Sequence, residues 1–358
     1  MSTDQQDEQG DEDTLVNVAD GVDHQVAMVM DLNKCIGCQT CTIACKNLWT
    51  EDGGSEYMYW NNVETKPGEG YPRGWEDSGG GWESSEHSDR SPGEIPDEED
   101  YGRAWEFNHS EIMYEGSDEP LRPREGAEWG PNWDEDQGAG EYPNSYYFYL
   151  PRICNHCTHP SCVEACPRSA LYKREEDGIV LVDQERCRGY RYCVEGCPYK
   201  KVYYNTVSKK SEKCIFCYPR LEGEGPDGET YAPACAEECP PQLRMVGFLD
   251  DEDGPIYKLV EEYEVALPLH PEFQTQPNVY YIPPFAPGQH TEDGETVDID
   301  RIPRQYLRKL FGDGVDEALD TIERERQRTR QGEDSELMDL LQDKNPAKQY
   351  RLGVFDDE

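Results

Sequence analysis

Fifteen cysteines in 358 residues carry the chemistry of this chain, and their spacing says what that chemistry is. Residues 35–45 read "CIGCQTCTIAC", a C-x2-C-x2-C-x3-C run. Three thiolates on one tight loop can hold three corners of an iron–sulfur cubane, and the fourth cysteine, a helical turn onward, points to a neighbouring cluster. A second run, "CNHCTHPSCVEACP" from Cys154, widens one gap and keeps the plan. The fourth is split, "CIFC" from Cys214 and "CAEECP" from Cys235, with an acidic, glycine-rich loop between. The third, "CRGYRYCVEGCP" from Cys187, has Tyr190 where the plan calls for cysteine. Zinc also uses C-x2-C pairs, but a four-coordinate zinc site joins two such pairs and does not call for repeated longer runs ending in Cys-Pro. An odd number of clustered cysteines fits a disulfide framework poorly.

The runs assign their own partners. The second and third lie close in sequence and pair; the first and fourth flank them and pair with each other. Exchanging the fourth cysteines within each pair gives four sites. One [4Fe-4S] cluster takes Cys35, Cys38, Cys41 and Cys239; a second takes Cys45, Cys214, Cys217 and Cys235; a third takes Cys154, Cys157, Cys162 and Cys197. Cys166, Cys187 and Cys193 remain, so the last site is expected to hold a [3Fe-4S] cluster, with Tyr190 a bulky non-ligand at the vacant corner. The alternative there is a four-iron cluster completed by a phenolate or water. His156, inside "CNHC", is expected to be a hydrogen-bonding neighbour rather than a ligand, since every cysteine is already placed.

Strand-length apolar segments stand beside these runs: "QVAMVMD" at 25–31, "SYYFYLPR" at 145–152, "IVLVD" at 179–183 and "KVYYNT" at 201–206. "CPRSALYK" and "CPYKKVYY" set Cys-Pro at the same distance ahead of a strand, an internal duplication. After the last cysteine, Tyr306, Leu307, Leu310 and Phe311, then Val315, Leu319 and Ile322, then Leu337, Leu340 and Leu341 are spaced for one buried helical face each. Gly312 is placed to stop the first of these helices.

The expected fold is α+β. Two pseudo-symmetric ferredoxin-like two-cluster modules are built from 25–50 with 207–250 and from 144–206. Residues 1–24 form an acidic arm expected to be disordered. A long irregular insertion spans 51–143, and 251–358 is an extended and helical C-terminal region. The insertion is strongly acidic yet holds six of the seven tryptophans, a composition for structure pinned onto a surface.

A formal charge of −42 makes nucleic acid an unlikely partner and matches the surface of a protein adapted to concentrated salt. Residues 144–249 carry no net charge, and Lys173, Arg174, Arg186, Arg188, Arg191, Lys200, Lys201 and Lys213 there would offset anionic clusters. No apolar run is long enough to span a membrane, and the first residues lack the pattern of a signal peptide. No P-loop, dinucleotide fingerprint, H-E-x-x-H, G-x-S-x-G or C-x-x-C-H stands in the sequence, so no catalytic residue is expected.

The stretch from "CVEACPRSALYK" through "CRGYRYCVEGCPYKKVYYNT" to "KCIFCYPR" resembles the electron-transfer β subunits of respiratory nitrate reductase, in the molybdopterin oxidoreductase superfamily. Those subunits have tryptophan or another non-cysteine residue at the place of Tyr190 and a three-iron cluster beside it. The resemblance implies two partners: a molybdenum-bis(guanine dinucleotide) α subunit that reduces nitrate, and a membrane cytochrome subunit that takes electrons from quinol. It implies that the three-iron site lies toward the membrane donor and the Cys35 site toward the catalytic subunit. It also favours a peripheral complex on the outer face of the membrane, exported folded with the α subunit, the cytoplasmic face being the alternative. Related β subunits serve selenate, chlorate, dimethylsulfide and ethylbenzene enzymes, so the partner's substrate rests on the resemblance. A reading from another class is an interaction module whose clusters are purely structural.

Overall fold

The structure is a computed structural model. It describes residues 19, 21–55, 58–68, 102–103, 108, 110–111, 114–115, 128–129, 138–141, 143–223, 230–291, 295–343 and 349–351. The acidic arm and most of the acidic insertion lie outside these.

The chain is mixed α+β, with small sheets and short helices. The largest sheet has five strands, β1 (Val26–Asp31), β2 (Arg244–Phe248), β3 (Leu267–Pro268), β4 (Val279–Ile282) and β5 (Tyr350–Arg351), in the order β3-β4-β1-β2-β5. β1 is central. It runs antiparallel to β2, with Val26 opposite Phe248 and Met30 opposite Arg244, and parallel to β4, with Met28 opposite Val279. Every residue of β1 is buried, because its two-residue period sends side chains into two different cores. Val26, Met28 and Met30 enter the core that contains the cysteines. Ala27 and Val29 enter a second, apolar core with Leu249, Ile256, Leu259, Ile322 and Leu337.

The C-terminal helices follow the apolar spacing. Arg304–Phe311 buries Leu307, Leu310 and Phe311, and ends at Gly312 with φ of +82°. Val315–Arg330 buries Val315, Leu319 and Ile322. Glu336–Gln342 buries Leu337, Met338 and Leu341, and the Ser335 hydroxyl caps it by accepting from the Met338 N–H. Leu340 is only half-buried. All three helices pack into the two cores that β1 separates, which fixes the sheet from outside the cysteine region.

The four apolar segments near the cysteine runs are strands: Val26–Asp31, Phe148–Arg152, Val180–Val182 and Tyr203–Asn205. Phe148–Arg152 pairs antiparallel with Asn62–Lys66, a strand within the stretch expected to be irregular. With Met58 and Trp60 it is buried, so the chain returns to the core before the acidic insertion proper. Across this pair Glu64 meets Arg152 at 3.1 Å, and along its own strand it meets Lys66 at 3.2 Å, with its carboxylate fully buried. Burial raises the Glu64 carboxyl, but Arg152, Lys66 and Lys201 more than offset that and leave it below the usual carboxylate range.

Candidate iron–sulfur sites

Short helices carry most of the later cysteines in each run. Helix α1 (Thr40–Trp49) holds Cys41 and Cys45 on its buried side. Helices α2 (Ser161–Glu164) and α3 (Tyr192–Gly196) hold Cys162 and Cys193. Helix α4 (Tyr218–Leu221) starts directly after Cys217, and α5 (Ala234–Glu237) holds Cys235. α2 packs on α3 so closely that a Cβ at Gly196 would stand 2.8 Å from Ala165 Cβ. Each of these two runs leads into a hairpin, Leu171–Lys173 with Val180–Val182 and Tyr203–Asn205 with Lys210–Glu212.

The loops ahead of the helices share one conformation. In each C-x2-C segment the third residue is left-handed: Gly37 (φ +67°), His156 (+44°) and Phe216 (+55°). "CRGY" turns the same way at Gly189 (+68°), and the residue after Tyr190, Arg191, is left-handed like Gln39 after Cys38. Tyr190 therefore occupies in the backbone the place that Cys38 has in the first run. Non-glycine residues such as His156 and Phe216 hold this strained conformation only where the surroundings enforce it. The turn aims backbone N–H groups at sulfur: Phe216 N–H donates to Cys214 Sγ at 3.4 Å.

All fifteen cysteines are free of disulfides, and most of their thiols lie beside others. Burial pushes the Cys35 thiol up to about 11, with Cys41 and Cys239 as like-charge neighbours. Burial also raises Cys45, beside Cys214, Cys235 and Cys217. Cys157 is pushed up to about 12 by burial, with Cys154 and Cys197 beside it, and Cys162 is raised by burial with the same neighbours. Cys193 is pushed up to about 11 by burial, and Cys166 and Cys187 are its neighbours. Cys38 is the exposed thiol. Protein alone does not favour so many buried thiolates together; bound iron does, because a coordinating thiol is deprotonated by the metal.

Two groups surround cavities. One is lined by Cys45, Cys214, Cys217 and Cys235, with Trp49 and Trp60. The other is lined by Cys154, Cys157, Cys162 and Cys197, with His156 and Tyr199. Among the described residues no three His, Cys, Asp or Glu side chains converge on a single metal ion. Four thiols spread around an internal space fit a cluster whose irons are held at separate corners.

Thiols of different runs lie beside one another: Cys41 and Cys217 both act on Cys235, and Cys154 and Cys217 both act on Cys214. The helices α2 and α3 carry Cys162 and Cys193 and lead to Cys166 and Cys197.

Polar groups line the sulfurs. Trp49 Nε1–H donates to Cys217 Sγ at 3.2 Å. Ser211 N–H donates to Cys187 Sγ at 3.4 Å, and its hydroxyl lies 3.3 Å from Cys193 Sγ. Ala170 N–H donates to Cys166 Sγ at 3.3 Å. His156 is buried, its Nδ1 accepts from Val180 N–H at 3.1 Å, and its proton is therefore on Nε2, which has no protein partner. Nε2–H is a spare donor beside the third group, in keeping with a neighbour rather than a ligand.

The cations named from the sequence divide. Lys201 and Lys213 are fully buried; the Lys213 ammonium donates to the Cys214 carbonyl at 2.8 Å, and that of Lys173 to the Cys157 carbonyl at 3.1 Å. Arg174 and Arg186 pair instead with carboxylates, Asp177 and Asp183. Arg244, which the sequence reading passed over, is fully buried and donates to Cys235 Sγ at 3.3 Å. Its signal was a lone arginine in an apolar strand just after the last Cys-Pro.

Residues 145–249 match the 4Fe-4S dicluster domain family. The chain is 78% identical to the respiratory nitrate reductase subunit beta of Haloferax mediterranei, over 96% of this chain and 97% of that protein. It is 56% identical to the dimethylsulfide dehydrogenase subunit beta of Rhodovulum sulfidophilum, over 93% and 100%. To the respiratory nitrate reductase 1 beta chain of Escherichia coli it is 37% identical, over 81% and 77%.

Proposed function

This chain belongs to the family of respiratory nitrate reductase β subunits, the iron–sulfur electron-transfer subunits of an oxidoreductase complex, and from that premise we propose what it carries and between which partners. It relays electrons from a quinol-oxidising membrane subunit to a molybdenum-bis(guanine dinucleotide) α subunit that reduces nitrate. Three [4Fe-4S] clusters are held by Cys35, Cys38, Cys41 and Cys239, by Cys45, Cys214, Cys217 and Cys235, and by Cys154, Cys157, Cys162 and Cys197. Cys166, Cys187 and Cys193 hold a [3Fe-4S] cluster. What supports this reading is that Cys45, Cys214, Cys217 and Cys235 line one internal space and Cys154, Cys157, Cys162 and Cys197 another, in a chain whose fifteen cysteines are all free of disulfides.

When bound, each cluster takes up and passes on one electron at a time. The protein supplies everything else. The sheet and helices fix the thiol groups at adjacent positions, so an electron entering at one end has a neighbouring site at each step. Burial and sulfur hydrogen bonds from Trp49, Ser211 and Ala170 set how readily each site is reduced. The two modules are pseudo-symmetric, and within each the two cysteine runs lend their fourth cysteines to one another's cluster. The three-iron site faces the membrane donor and the Cys35 site faces the α subunit. Among the described residues no helix is long and apolar enough to cross a membrane; the chain is peripheral, on the outer face.

The test is to purify the native complex in concentrated salt and follow oxidation of reduced viologen by nitrate, chlorate and selenate, with iron content and paramagnetic spectra of the same sample. Nitrate turnover with four distinct cluster signals is the expected result. Turnover of selenate or chlorate without nitrate would keep the clusters and change the α subunit's substrate. A preparation whose clusters do not cycle on reduction and reoxidation would overturn the relay in favour of structural clusters.

A further inference from the structure

We propose that Arg244 is the shared counter-cation of the two clusters in the first module and holds their reduction potentials up. This rests on the cluster assignment above and adds to it a residue that is not a ligand.

Arg244 begins β2 opposite Met30, and the strand's alternation turns it into the cysteine core while Met245 enters the other core. Its side chain is fully buried. Nη1 donates to Cys235 Sγ at 3.3 Å and lies 3.8 Å from Met28 Sδ; Nη2 donates to Asn61 Oδ1 at 2.9 Å. Nε has no partner. Among the described residues no carboxylate forms an ion pair with it. The negative groups that act on it are the thiolates of Cys235, Cys41 and Cys239, with Tyr281 behind them.

A guanidinium stays charged in a protein, and a buried charge without an opposite charge is strongly disfavoured. Among the described residues the groups that can answer its charge are first of all cysteine sulfurs, and in the proposed assignment they belong to two sites: Cys235 to the second, Cys41 and Cys239 to the first. The contrast with Glu64 and Arg152 is direct. There the buried arginine has its own carboxylate; at Arg244 the cluster must supply it. Reduction adds negative charge to a cluster, so a fixed cation at its edge favours the reduced form over the oxidised one, and does so more strongly away from water. Asn61 anchors the other end of the fork, which keeps the charge at one distance from both sites.

The experiment compares the intact complex carrying wild-type chain, Arg244→Gln and Arg244→Lys by iron content and by potentiometric titration of the paramagnetic signals. In Arg244→Gln the reduced-to-oxidised ratio of the second site at a fixed potential should fall about tenfold, ~59 mV for a one-electron couple. The first site should fall less, and the two sites of the other module should not move. Arg244→Lys keeps the charge without the fork, so its shifts should be in the same two sites and smaller. Should the glutamine variant lose iron, the lysine variant decides: iron retained, with first-module potentials at or slightly below those of wild type and the other module unmoved, supports the inference. Equal shifts in all four sites, or loss of iron in both variants, would make Arg244 a folding residue and overturn it. If the wild-type complex itself lacks two clusters in this module, the cluster assignment fails instead, and the two failures are told apart.

Discussion

Trp49 and Cys217 are tied by an indole N–H that donates to Sγ at 3.2 Å, across 168 residues of sequence. The bond joins the last residue of α1 to the loop ahead of α4, so the two chain segments that make up the first module meet at a ligand sulfur. A hydrogen bond to a cluster thiolate withdraws electron density and stabilises the reduced state. Trp49→Phe keeps most of the ring's packing and removes the donor. Its expected effect is a lower potential for the site containing Cys217, with the other sites unmoved, read by the same potentiometric titration. An unchanged potential would reduce this contact to packing.

Tyr190 stands in a loop whose backbone matches that of "CIGC", yet its ring is 58% exposed. The Tyr190→Cys variant should place a fourth thiol on the open side of the Cys166, Cys187 and Cys193 group. Oxidised protein should then lose the signal of a three-iron cluster and gain iron per chain. The site's potential should fall, slowing quinol-driven turnover more than viologen-driven turnover. Identical spectra before and after the change would refute the three-iron assignment.

Glu64 is a carboxylate buried between a cross-strand cation, Arg152, and one from its own strand, Lys66, and its folded-state value lies below the ordinary 4.5. A depressed carboxyl contributes stability that is complete above its unfolded value and is lost as pH falls through the folded one. The contribution should therefore be present at neutral pH and disappear in acid below about 4.5. Glu64→Gln leaves Arg152 buried beside a neutral amide and should cost about 3–5 kcal/mol at neutral pH, measured by denaturant unfolding. The gap from wild type should narrow in acid. A gap independent of pH would mean that packing, not charge, sets the cost.

The charge of −42 is spread over a chain whose cysteine region is locally neutral. Repulsion among the acidic surface positions falls as the screening length shortens, from about 10 Å at 0.1 M salt to about 3 Å at 1 M. Thermal stability of the complex should rise from dilute buffer into molar salt. A midpoint that is highest in dilute buffer would contradict the halophilic reading.

Local pattern made the strands, the helices and the cysteine runs legible. "QVAMVMD" and "SYYFYLPR" are apolar where two faces are buried, and the Leu307, Leu310, Phe311 spacing repeats the helical turn. The proposed ligand sets rest on the runs, because C-x2-C loops and the helices after them have only a few ways to share corners. What stayed hidden depends on long-range pairing. Nothing in "NNVETK" shows that Glu64 will face Arg152, since each residue alone reads as an ordinary exposed charge. Arg244 becomes notable only once β1 and β2 are paired and its neighbours prove to be thiols rather than carboxylates. Ser211 and Trp49 are ordinary residues until the fold brings them to a sulfur.

The antiparallel pairing of β1 with β2 has a consequence in time as well as space. In the proposed assignment the sites of the second module draw on cysteines from 154 to 197, a stretch that leaves the ribosome as one piece. Those of the first would draw on Cys35 at one end and Cys239 at the other, and the paired strands Val26–Asp31 and Arg244–Phe248 are also far apart in the chain. On that assignment assembly would be staged: the inner pair of sites could be filled while synthesis continues, and the outer pair would wait until the chain has passed Phe248. Until then Cys35, Cys38, Cys41 and Cys45 would stand as a half-built cage open to oxidation.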